Sequence, residues 1–435
     1  MHDFHYVGAE LHCERVPIRS LIEKFGTPLY VYSQHTLTDH FEKLERALSP
    51  LDHLICYAMK ANSNAAVMRT LANLGSGFDV VSEGELRRVI AAGGDPRKCV
   101  FAGVGKTESE IEFALRKGIY SFNVESEPEL HRINRVAARL KKVAPVAVRV
   151  NPNVDAGTHA KITTGTYQNK FGVAFEEVDG VYARASKLKH LRLRGVQMHI
   201  GSQLTDVKPF EAAVRKVVPL AKTLAARHGF EFFSIGGGLG IMYKSALESA
   251  DPNWWQSPQA RDILTPARYA ETLVPLLQPL GLRILIEPGR FIVGNAGILV
   301  TRVEYVKQTG QKNFVIVDAA MNDLIRPAFY DSYHEIVPVV RRNGSANGTI
   351  SSDVVGPICE SGDYFAKDRP LPKVGEGDHL ALLSAGAYGF VMASNYNSRA
   401  MAAEVLVNGS KAALVRPRQK LEQIWAAEKL PAWLK

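Results

Sequence analysis

One lysine stands where packing gives no reason for it. Lys60 follows the apolar run Leu51 to Ile55, so it falls where a buried strand would end, and the polar pair Asn62-Ser63 then opens a helix-like segment. Burying an ammonium group without a partner is costly. A lysine at a strand end therefore either extends into water, as most lysines do, or takes part in chemistry. Desolvation favours the neutral amine that Schiff-base chemistry requires.

Reactive or glycine-rich residues also stand at the ends of other strand-like runs. They are Asp79, Asn123, Arg149, His199, the glycines Gly236, Gly237 and Gly238, and Glu287. Each has an ordinary structural explanation, such as a tight turn for the glycines, a packed core position for His199, or a surface ion pair between Glu287 and Arg290. Packing alone would not place such residues at all of these ends, so together they predict a site. Glycine also lets backbone N–H groups approach an anion such as a phosphate.

A second group of candidate residues lies in the last third of the chain. Arg326 and Tyr330 pair a guanidinium with a phenol, and Cys359 precedes Glu360 in a loop rich in glycine and proline. An isolated cysteine is usually a small buried hydrophobe, but the acidic neighbours of Cys359 argue against a core position. Tyr388 is flanked by glycines. Its phenol is interpreted either as a phosphate contact or as a packed strand aromatic.

The elements that must position these residues alternate regularly from residue 51. Strand-like runs are separated by helical patterns, and the apolar period changes from continuous or 2 to 3.6 residues each time. The eight runs cover 53–60, 77–82, 99–104, 120–125, 145–151, 193–200, 232–237 and 283–288. They predict a parallel sheet closed into a (β/α)8 barrel, whose active site lies at the C-terminal strand ends. An open doubly wound sheet is the alternative, but no GxGxxG fingerprint follows the first strand.

The pattern changes after residue 290 to short β-rich runs separated by glycine and proline. This predicts a barrel domain over 36–290 and an all-β domain over 291–420, which the N-terminal segment 1–35 is expected to join. The loop 154–170 is rich in glycine and threonine, and loops of such length are often functional. The segment 250–262 has no assigned role.

Composition limits the classes of function. The chain has 435 residues, 46% apolar and 22% charged, as expected for a soluble globular protein of two or three domains. No apolar run reaches the roughly 18 residues of a membrane span, and the N-terminus lacks a signal-peptide pattern. The four cysteines form no Cys-x-x-Cys pair, which favours a reducing cytoplasm, and we expect no metal site. The net charge of +9 comes without dense basic clusters, which favours an anionic small molecule over nucleic acid.

Together the motifs resemble the alanine-racemase-like, fold-type III enzymes that use pyridoxal 5'-phosphate (PLP), and among them the bacterial diaminopimelate decarboxylases. The motifs are Tyr57 to Asn62, His199 to Gln203, Gly236 to Gly240, Glu287 to Arg290, Arg326 to Tyr330, Cys359 to Asp363 and Gly386 to Gly389. The resemblance spans roughly residues 20–410. No single motif is specific, but the combination is.

The resemblance implies a role for each candidate residue. Lys60 would bind the cofactor as a Schiff base, His199 would stack behind the ring, and Glu287 would pair with the pyridine nitrogen. The cofactor pocket would be completed by Asp79, Arg149 near the ring hydroxyl, Arg290, and the phosphate-binding residues Gly236, Gly237, Gly238, Ser202, Gly289 and Tyr388. The substrate's distal end would be bound by Arg290, Arg326, Tyr330, Glu360 and Tyr388. Cys359 of the partner subunit, in a homodimer with shared sites, would protonate the product.

The chemistry agrees with these implied roles. Decarboxylation leaves a carbanion, for which PLP is an electron sink, and a carboxylate at Glu287 keeps the ring nitrogen protonated. An arginine there, as in racemases, would disfavour protonation. A thiol is mostly protonated at neutral pH and can act as a general acid. Two arginines suit a substrate with a second carboxylate, which favours meso-diaminopimelate and its conversion to L-lysine and CO2.

Two other hypotheses remain open from the sequence. One is a decarboxylase of another basic amino acid, or a racemase, within the same cofactor class. The other is a catalytically silent carrier or partner-binding relative, which would be expected to have lost Lys60 or Cys359, although both are present.

Overall fold

The computed structural model describes residues 2–154, 170–342 and 348–434. The chain divides into two compact units. One unit comprises Leu37–Ile241 and Pro258–Ile292, and the other comprises Met1–Thr36, Met242–Ser257 and Val293–Lys435. The segment 242–257, which the sequence places within the barrel domain, therefore groups with the second unit. The loop expectation at 154–170 falls almost wholly outside the described residues.

The chain begins with a small antiparallel sheet, followed by a helix and a buried strand. These elements are β1 (Phe4–Val7), β2 (Glu10–Cys13), β3 (Val16–Pro17), α1 (Ile18–Phe25) and β4 (Leu29–Ser33). Every residue of β4 is buried, as expected for a strand that has neighbours on both sides.

The barrel unit alternates strands with helices. Its elements are α2 (Gln34–Leu48), β5 (His53–Ala58), α3 (Ala65–Asn73), β6 (Gly77–Val80), α4 (Glu83–Ala91), β7 (Cys99–Phe101), α5 (Glu108–Lys117), β8 (Ser121–Val124), α6 (Glu127–Arg139), β9 (Ala144–Asn151), β10 (Val173–Ala174), α7 (Val178–Ala185), β11 (Leu191–Met198), α8 (Lys208–His228), β12 (Phe232–Ser234), α9 (Pro266–Leu277), β13 (Arg283–Ile286) and α10 (Arg290–Val293). The strands pair in parallel in the order β9-β11-β12-β13-β5-β6-β7-β8, and β8 pairs with β9 to close the barrel. The predicted (β/α)8 barrel is thereby confirmed.

Local sequence signals explain where the helices begin and end. The side chain of Asn64 accepts a hydrogen bond from the N–H of Ala66 at the start of α3. Thr107 and Glu110 form a reciprocal capping box on α5, and Gly118 ends that helix in the left-handed conformation. These caps set where α3 and α5 begin, and thereby the lengths of the loops that follow β5 and β7.

The interior of the barrel is packed and not hollow. A buried cluster combines Cys56, Val100, Tyr120, Ala147, Phe232 and Leu285, drawn from strands around the ring. Cys56 is fully buried here and behaves as a small hydrophobe, as free cysteines commonly do. With this interior filled, polar side chains are left for the strand ends.

The second unit is mostly β-structure. Its remaining elements are β14 (Gly297–Gln308), β15 (Asn313–Val317), α11 (Arg326–Tyr330), β16 (Ile336–Pro338), β17 (Thr349–Val355), β18 (Tyr364–Pro372), β19 (His379–Leu382), β20 (Ala403–Asn408), β21 (Lys411–Arg416) and α12 (Glu422–Trp425). The strand order is β18-β17-β15-β14-β4-β20-β21, and β19 pairs with β14 and β16. The N-terminal strand β4 is antiparallel to β14 and parallel to β20. Within the described residues, no helix is long and apolar enough to cross a membrane.

Candidate active site

Lys60 lies in a short 3-10 turn, Met59–Ala61, directly after β5. The turn is held by a hydrogen bond from the Tyr57 hydroxyl to the carbonyl of Asn62 (2.8 Å). The ammonium of Lys60 contacts the carboxylate of Asp79, which follows from the pairing of β5 with β6. The Lys60 side chain is 41% exposed and that of Asp79 only 1%. The lysine therefore keeps access to the barrel opening while a buried charge holds it.

Glu287 follows β13 and is buried among uncharged donors. Its Oε1 accepts hydrogen bonds from Asn123 Nδ2 (3.1 Å) and Ser234 Oγ (2.7 Å). Its Oε2 accepts one from Gln197 Nε2 (3.1 Å). Asn123 was identified from its strand end, but Gln197 and Ser234 were missed. A usable signal existed, because both are polar residues within strands predicted to be buried.

The environment of Glu287 raises its pKa to about 7. Loss of hydration on burial is the largest cause, followed by the negative charge of Asp79. The hydrogen bond from Ser234 and the cations Lys60 and Arg149 oppose this shift. A carboxyl group with this pKa can gain or lose a proton near neutral pH, as acid–base and charge-pairing roles require.

His199 follows β11 as a neutral ring. Its Nδ1 accepts a hydrogen bond from the backbone N–H of Gly237 (3.2 Å). Burial and the cations Arg149 and Lys60 lower its pKa well below the ordinary value. An uncharged imidazole with a fixed orientation provides a flat surface for a planar ligand.

Arg149, two residues before the end of β9, lies in a buried ion pair. Its Nη1 donates to Oε1 of Glu125 at 3.0 Å, and its Nη2 donates to the carbonyl of His199 at 3.4 Å. The guanidinium also lies over the ring of Phe171, 4.8 Å from the centroid. Glu125 was missed from the sequence, although it lies two residues beyond Asn123 at the same strand end.

The glycine loop after β12 has no room for side chains. An added Cβ would lie 2.3 Å from the carbonyl of Met198 at Gly236, and 2.2 Å from that of Glu287 at Gly237. Gly236 and Gly238 also have positive φ values of 73° and 119°. At these three positions the neighbouring backbone lies too close for any residue but glycine. Without side chains, the backbone of the loop is also accessible to a ligand.

Ser202 and Arg290 meet in the same unit. Arg290 Nη2 donates to Ser202 Oγ at 3.1 Å, and the Arg290 side chain is buried. An added Cβ at Gly289 would lie 3.1 Å from the carbonyl of Ala58, which brings this turn close to the end of β5.

Arg326 is the first residue of α11 in the second unit, which we call the β unit, and it is buried. Its Nη1 donates to His334 Nε2 (2.8 Å) and its Nη2 to Ser332 Oγ (3.2 Å). The Nδ1 of His334 donates to the carbonyl of Leu383 (2.8 Å), which fixes the tautomer that accepts from the arginine. Tyr330, at the other end of α11, is half-buried against Phe329. His334 was missed, because nothing in the sequence links it to Arg326.

Cys359 is exposed, as its acidic neighbours suggested. Its N–H donates to Asn397 Oδ1 at 3.2 Å, and Glu360 accepts a hydrogen bond from the Tyr396 hydroxyl. Asp363 anchors the loop from beneath, because its carboxylate accepts from the N–H groups of Ile358 and Met321, each at 2.7 Å. The thiol and its acidic neighbour are therefore presented on a fixed loop.

Tyr388 is half-buried, with a left-handed φ of 55°. Such a conformation is uncommon for a bulky residue and is frequent at functional sites. The next residue, Gly389, could not carry a Cβ, which would lie 2.4 Å from the carbonyl of Ala385.

The barrel residues fit a planar, phosphate-bearing cofactor. Three buried polar atoms at the strand ends have no hydrogen-bond partner among the described residues: Asp79 Oδ1, Asn123 Oδ1 and Gln197 Oε1. Buried polar groups are normally paired, so these atoms favour a ligand. An amine, a neutral ring, a buried acid and a glycine loop are the groups such a ligand would need.

Comparison with known families agrees with this description. Residues 34–294 match the family model described as pyridoxal-dependent decarboxylase, pyridoxal binding domain. The fold and the site thus define a barrel of the pyridoxal-dependent decarboxylase class.

Relatives that match nearly the whole chain indicate which family within this class the chain belongs to. Diaminopimelate decarboxylase of Vibrio cholerae is 49% identical over 96% of this chain and 96% of that protein. That of Pseudomonas aeruginosa is 49% identical over 99% of both. The crystal structure of diaminopimelate decarboxylase from Helicobacter pylori complexed with L-lysine is 40% identical, with a TM-score of 0.87 over 94% of this chain and 98% of that one. The chain belongs to the diaminopimelate decarboxylase family, which confirms the resemblance drawn from the motifs.

Proposed function

We propose that this chain converts meso-2,6-diaminopimelate to L-lysine and CO2 with bound PLP. The observation that carries the proposal is Glu287, a buried carboxylate rather than a cation, held by three uncharged donors at the end of the last barrel strand. The named relatives are diaminopimelate decarboxylases, and two solved relatives are described as bound to L-lysine.

The residues of the barrel would hold the cofactor and control protons. PLP supplies an electron sink for the carbanion that decarboxylation leaves. Lys60 Nζ would attach it, and the neutral ring of His199 would orient it. The backbone of the glycine loop, with Ser202, Gly289 and Tyr388, would bind its phosphate. Glu287 would hold a proton at the pyridine nitrogen.

Further barrel and β-unit residues would complete recognition and proton transfer. Asp79, Arg149 and Arg290 would complete the cofactor pocket. Arg290, Arg326, Tyr330, Glu360 and Tyr388 would bind the distal amino acid end of the substrate. Two guanidinium groups suit a second carboxylate, whereas decarboxylases of ornithine or arginine must read a distal cation. The exposed thiol of Cys359, from the partner subunit, would donate the proton that replaces the lost CO2.

The proposal includes a homodimer with shared sites and a cytoplasmic location. Shared sites rest on the resemblance, which assigns Cys359 to the partner's site. The location rests on the four cysteines, all of which are free, including the exposed thiol that the reaction would use.

A substrate panel tests the reaction. Purified protein loaded with PLP is given meso-diaminopimelate, L-lysine, L-ornithine or L-arginine, and released CO2 and the amino product are measured. We expect CO2 only from meso-diaminopimelate, with L-lysine as product, and neither from Lys60→Ala. Release from another substrate instead would identify a different decarboxylase, and racemised substrate without CO2 would identify a racemase.

A further inference from the structure

A second buried lysine lies close to the strand ends, outside the residues assigned so far. Lys106 precedes the cap of α5, and its side chain is 1% exposed. Its ammonium donates to Glu129 Oε1 (2.6 Å), the carbonyl of Gly103 (2.7 Å) and the carbonyl of Asn123 (2.9 Å). All three of its donors are thus used, so Lys106 is not a spare reactive amine.

Its partner, Glu129, makes a second directional contact. Glu129 lies on α6 and is buried. Its Oε2 accepts a hydrogen bond from the backbone N–H of Glu125 at 2.9 Å. The ion pair therefore holds the backbone on both sides of Val124, the last residue of β8, through the carbonyl of Asn123 and the N–H of Glu125.

Asn123 and Glu125, whose backbone groups are held by this ion pair, both contact residues of the candidate active site. Asn123 donates to Glu287, and Glu125 accepts from Arg149 (3.0 Å) and from the N–H of Gly172 (2.8 Å). One buried ion pair thus stands behind two of the polar groups that line the end of the barrel.

A buried ion pair is by itself weak evidence for a role in stability. A buried ion pair can often be replaced by apolar residues of similar volume without loss of stability, and sometimes with a gain. An apolar pair, however, could neither donate to the Asn123 carbonyl nor accept from the Glu125 N–H. We propose that Lys106 and Glu129 are positioning residues, which hold the end of β8 so that Asn123 and Glu125 orient Glu287 and Arg149 for PLP. This inference rests on the proposed function for its cofactor.

The test measures binding of PLP itself to cofactor-free protein. The main variant is Lys106→Met with Glu129→Met, which keeps volume and avoids an unpaired buried charge. Glu129→Gln, which keeps an acceptor for the Glu125 N–H and removes only the negative charge, is the second variant. Lys98→Met is the matched control, because Lys98 also donates to a backbone carbonyl, that of Gly75 (3.0 Å), but at the opposite end of the barrel strands. Kd, the absorption band of bound PLP, its pH dependence and the melting temperature are recorded.

Wild-type binding is established first, so that failure of the proposed function is recognised separately. We expect the double variant to melt close to wild type, yet to bind PLP at least about tenfold more weakly, as expected when a buried partner loses its hydrogen bond. The midpoint of its pH-dependent spectral change should shift, because Glu287 loses a well-placed donor. Unchanged Kd and midpoint in a folded variant would overturn the proposal. Unfolding of both the double variant and Glu129→Gln would overturn it as well, since the pair would then serve stability.

Discussion

At the residue scale, the strand ends of the barrel oppose the ionisation of Glu287. Its three hydrogen-bond donors are neutral, and both burial and the negative charge of Asp79 work against its charge. In the cofactor-free protein, none of the three groups that donate to Glu287 is a cation. We therefore expect the apoprotein to carry a measurable electrostatic cost at this residue.

The first prediction concerns Glu287→Gln in cofactor-free protein. Burial raises the folded-state pKa of Glu287 from its ordinary value of 4.5 to about 7. Below the lower value both states are protonated and Glu287 has no ionic cost. As pH rises from 4.5 to about 7, the native state of the wild type loses up to about 3 kcal/mol relative to the variant, and above that range the difference stays constant.

Chemical denaturation of both proteins across this pH range measures the difference. The side chain of Gln197 can rotate to present its oxygen, so the variant amide still finds partners. A stability difference that is constant with pH would show that Glu287 ionises as an ordinary exposed acid does.

The second prediction concerns His334, which orients Arg326. His334→Ala removes the acceptor for Arg326 Nη1, and we expect KM for meso-diaminopimelate to rise about tenfold while kcat changes little. His334→Gln, which can still accept and donate, should recover part of the loss. PLP absorption serves as the control and should stay unchanged. An unaltered KM in His334→Ala would show that substrate binding does not depend on the orientation that His334 gives Arg326.

At the element scale, the conformation of a loop depends on close backbone contacts, which one added atom can disrupt. The third prediction is that Gly237→Ala weakens PLP binding strongly, because the added Cβ would lie 2.2 Å from the carbonyl of Glu287. Gly84→Ala in α4 is the matched control, since its Cβ would meet nothing closer than 3.7 Å and alanine favours a helix. PLP titration measures both. Equal PLP affinity in the two variants would show that the glycine loop can accommodate the added Cβ.

The fourth prediction concerns the loop that carries Cys359. Asp363→Ala removes the acceptor for two backbone N–H groups, of Ile358 and Met321. We expect a loss of about 1–3 kcal/mol in unfolding free energy and a marked fall in kcat, with PLP affinity kept. Asp262→Ala, at an exposed position, is the control. Normal kcat in Asp363→Ala would mean that Cys359 needs no fixed loop.

The sequence predicts elements well where a pattern repeats and poorly where partners are distant. The eight barrel strands were predicted closely, because buried parallel strands have local signals. The second unit was predicted only as short β-rich runs, and the polar residues of β18 and β21 give no clear alternation. Side-chain pairs such as Arg326 with His334 and Lys106 with Glu129 could not be predicted, because tertiary packing brings them together.

At the scale of the whole molecule, the fifth prediction tests the homodimer with shared sites. Lys60→Ala and Cys359→Ala should each be nearly inactive. Unfolded together and refolded as a mixture, half of the dimers would be mixed and each would hold one intact site, giving about a quarter of wild-type activity. Sedimentation of the wild type should show a dimer. A mixture without recovered activity, or a fully active monomer, would contradict shared sites.

The central sheet of the β unit joins strands from both ends of the chain. β4, at Leu29–Ser33, lies between β14 and β20, and β20 does not begin until Ala403. During translation, the earliest-made strand of this sheet must wait for its neighbours while every barrel strand leaves the ribosome. Connectivity therefore imposes an order of assembly, in which the barrel can form first and the nascent β4 keeps at least one unpaired edge until β20 has been made.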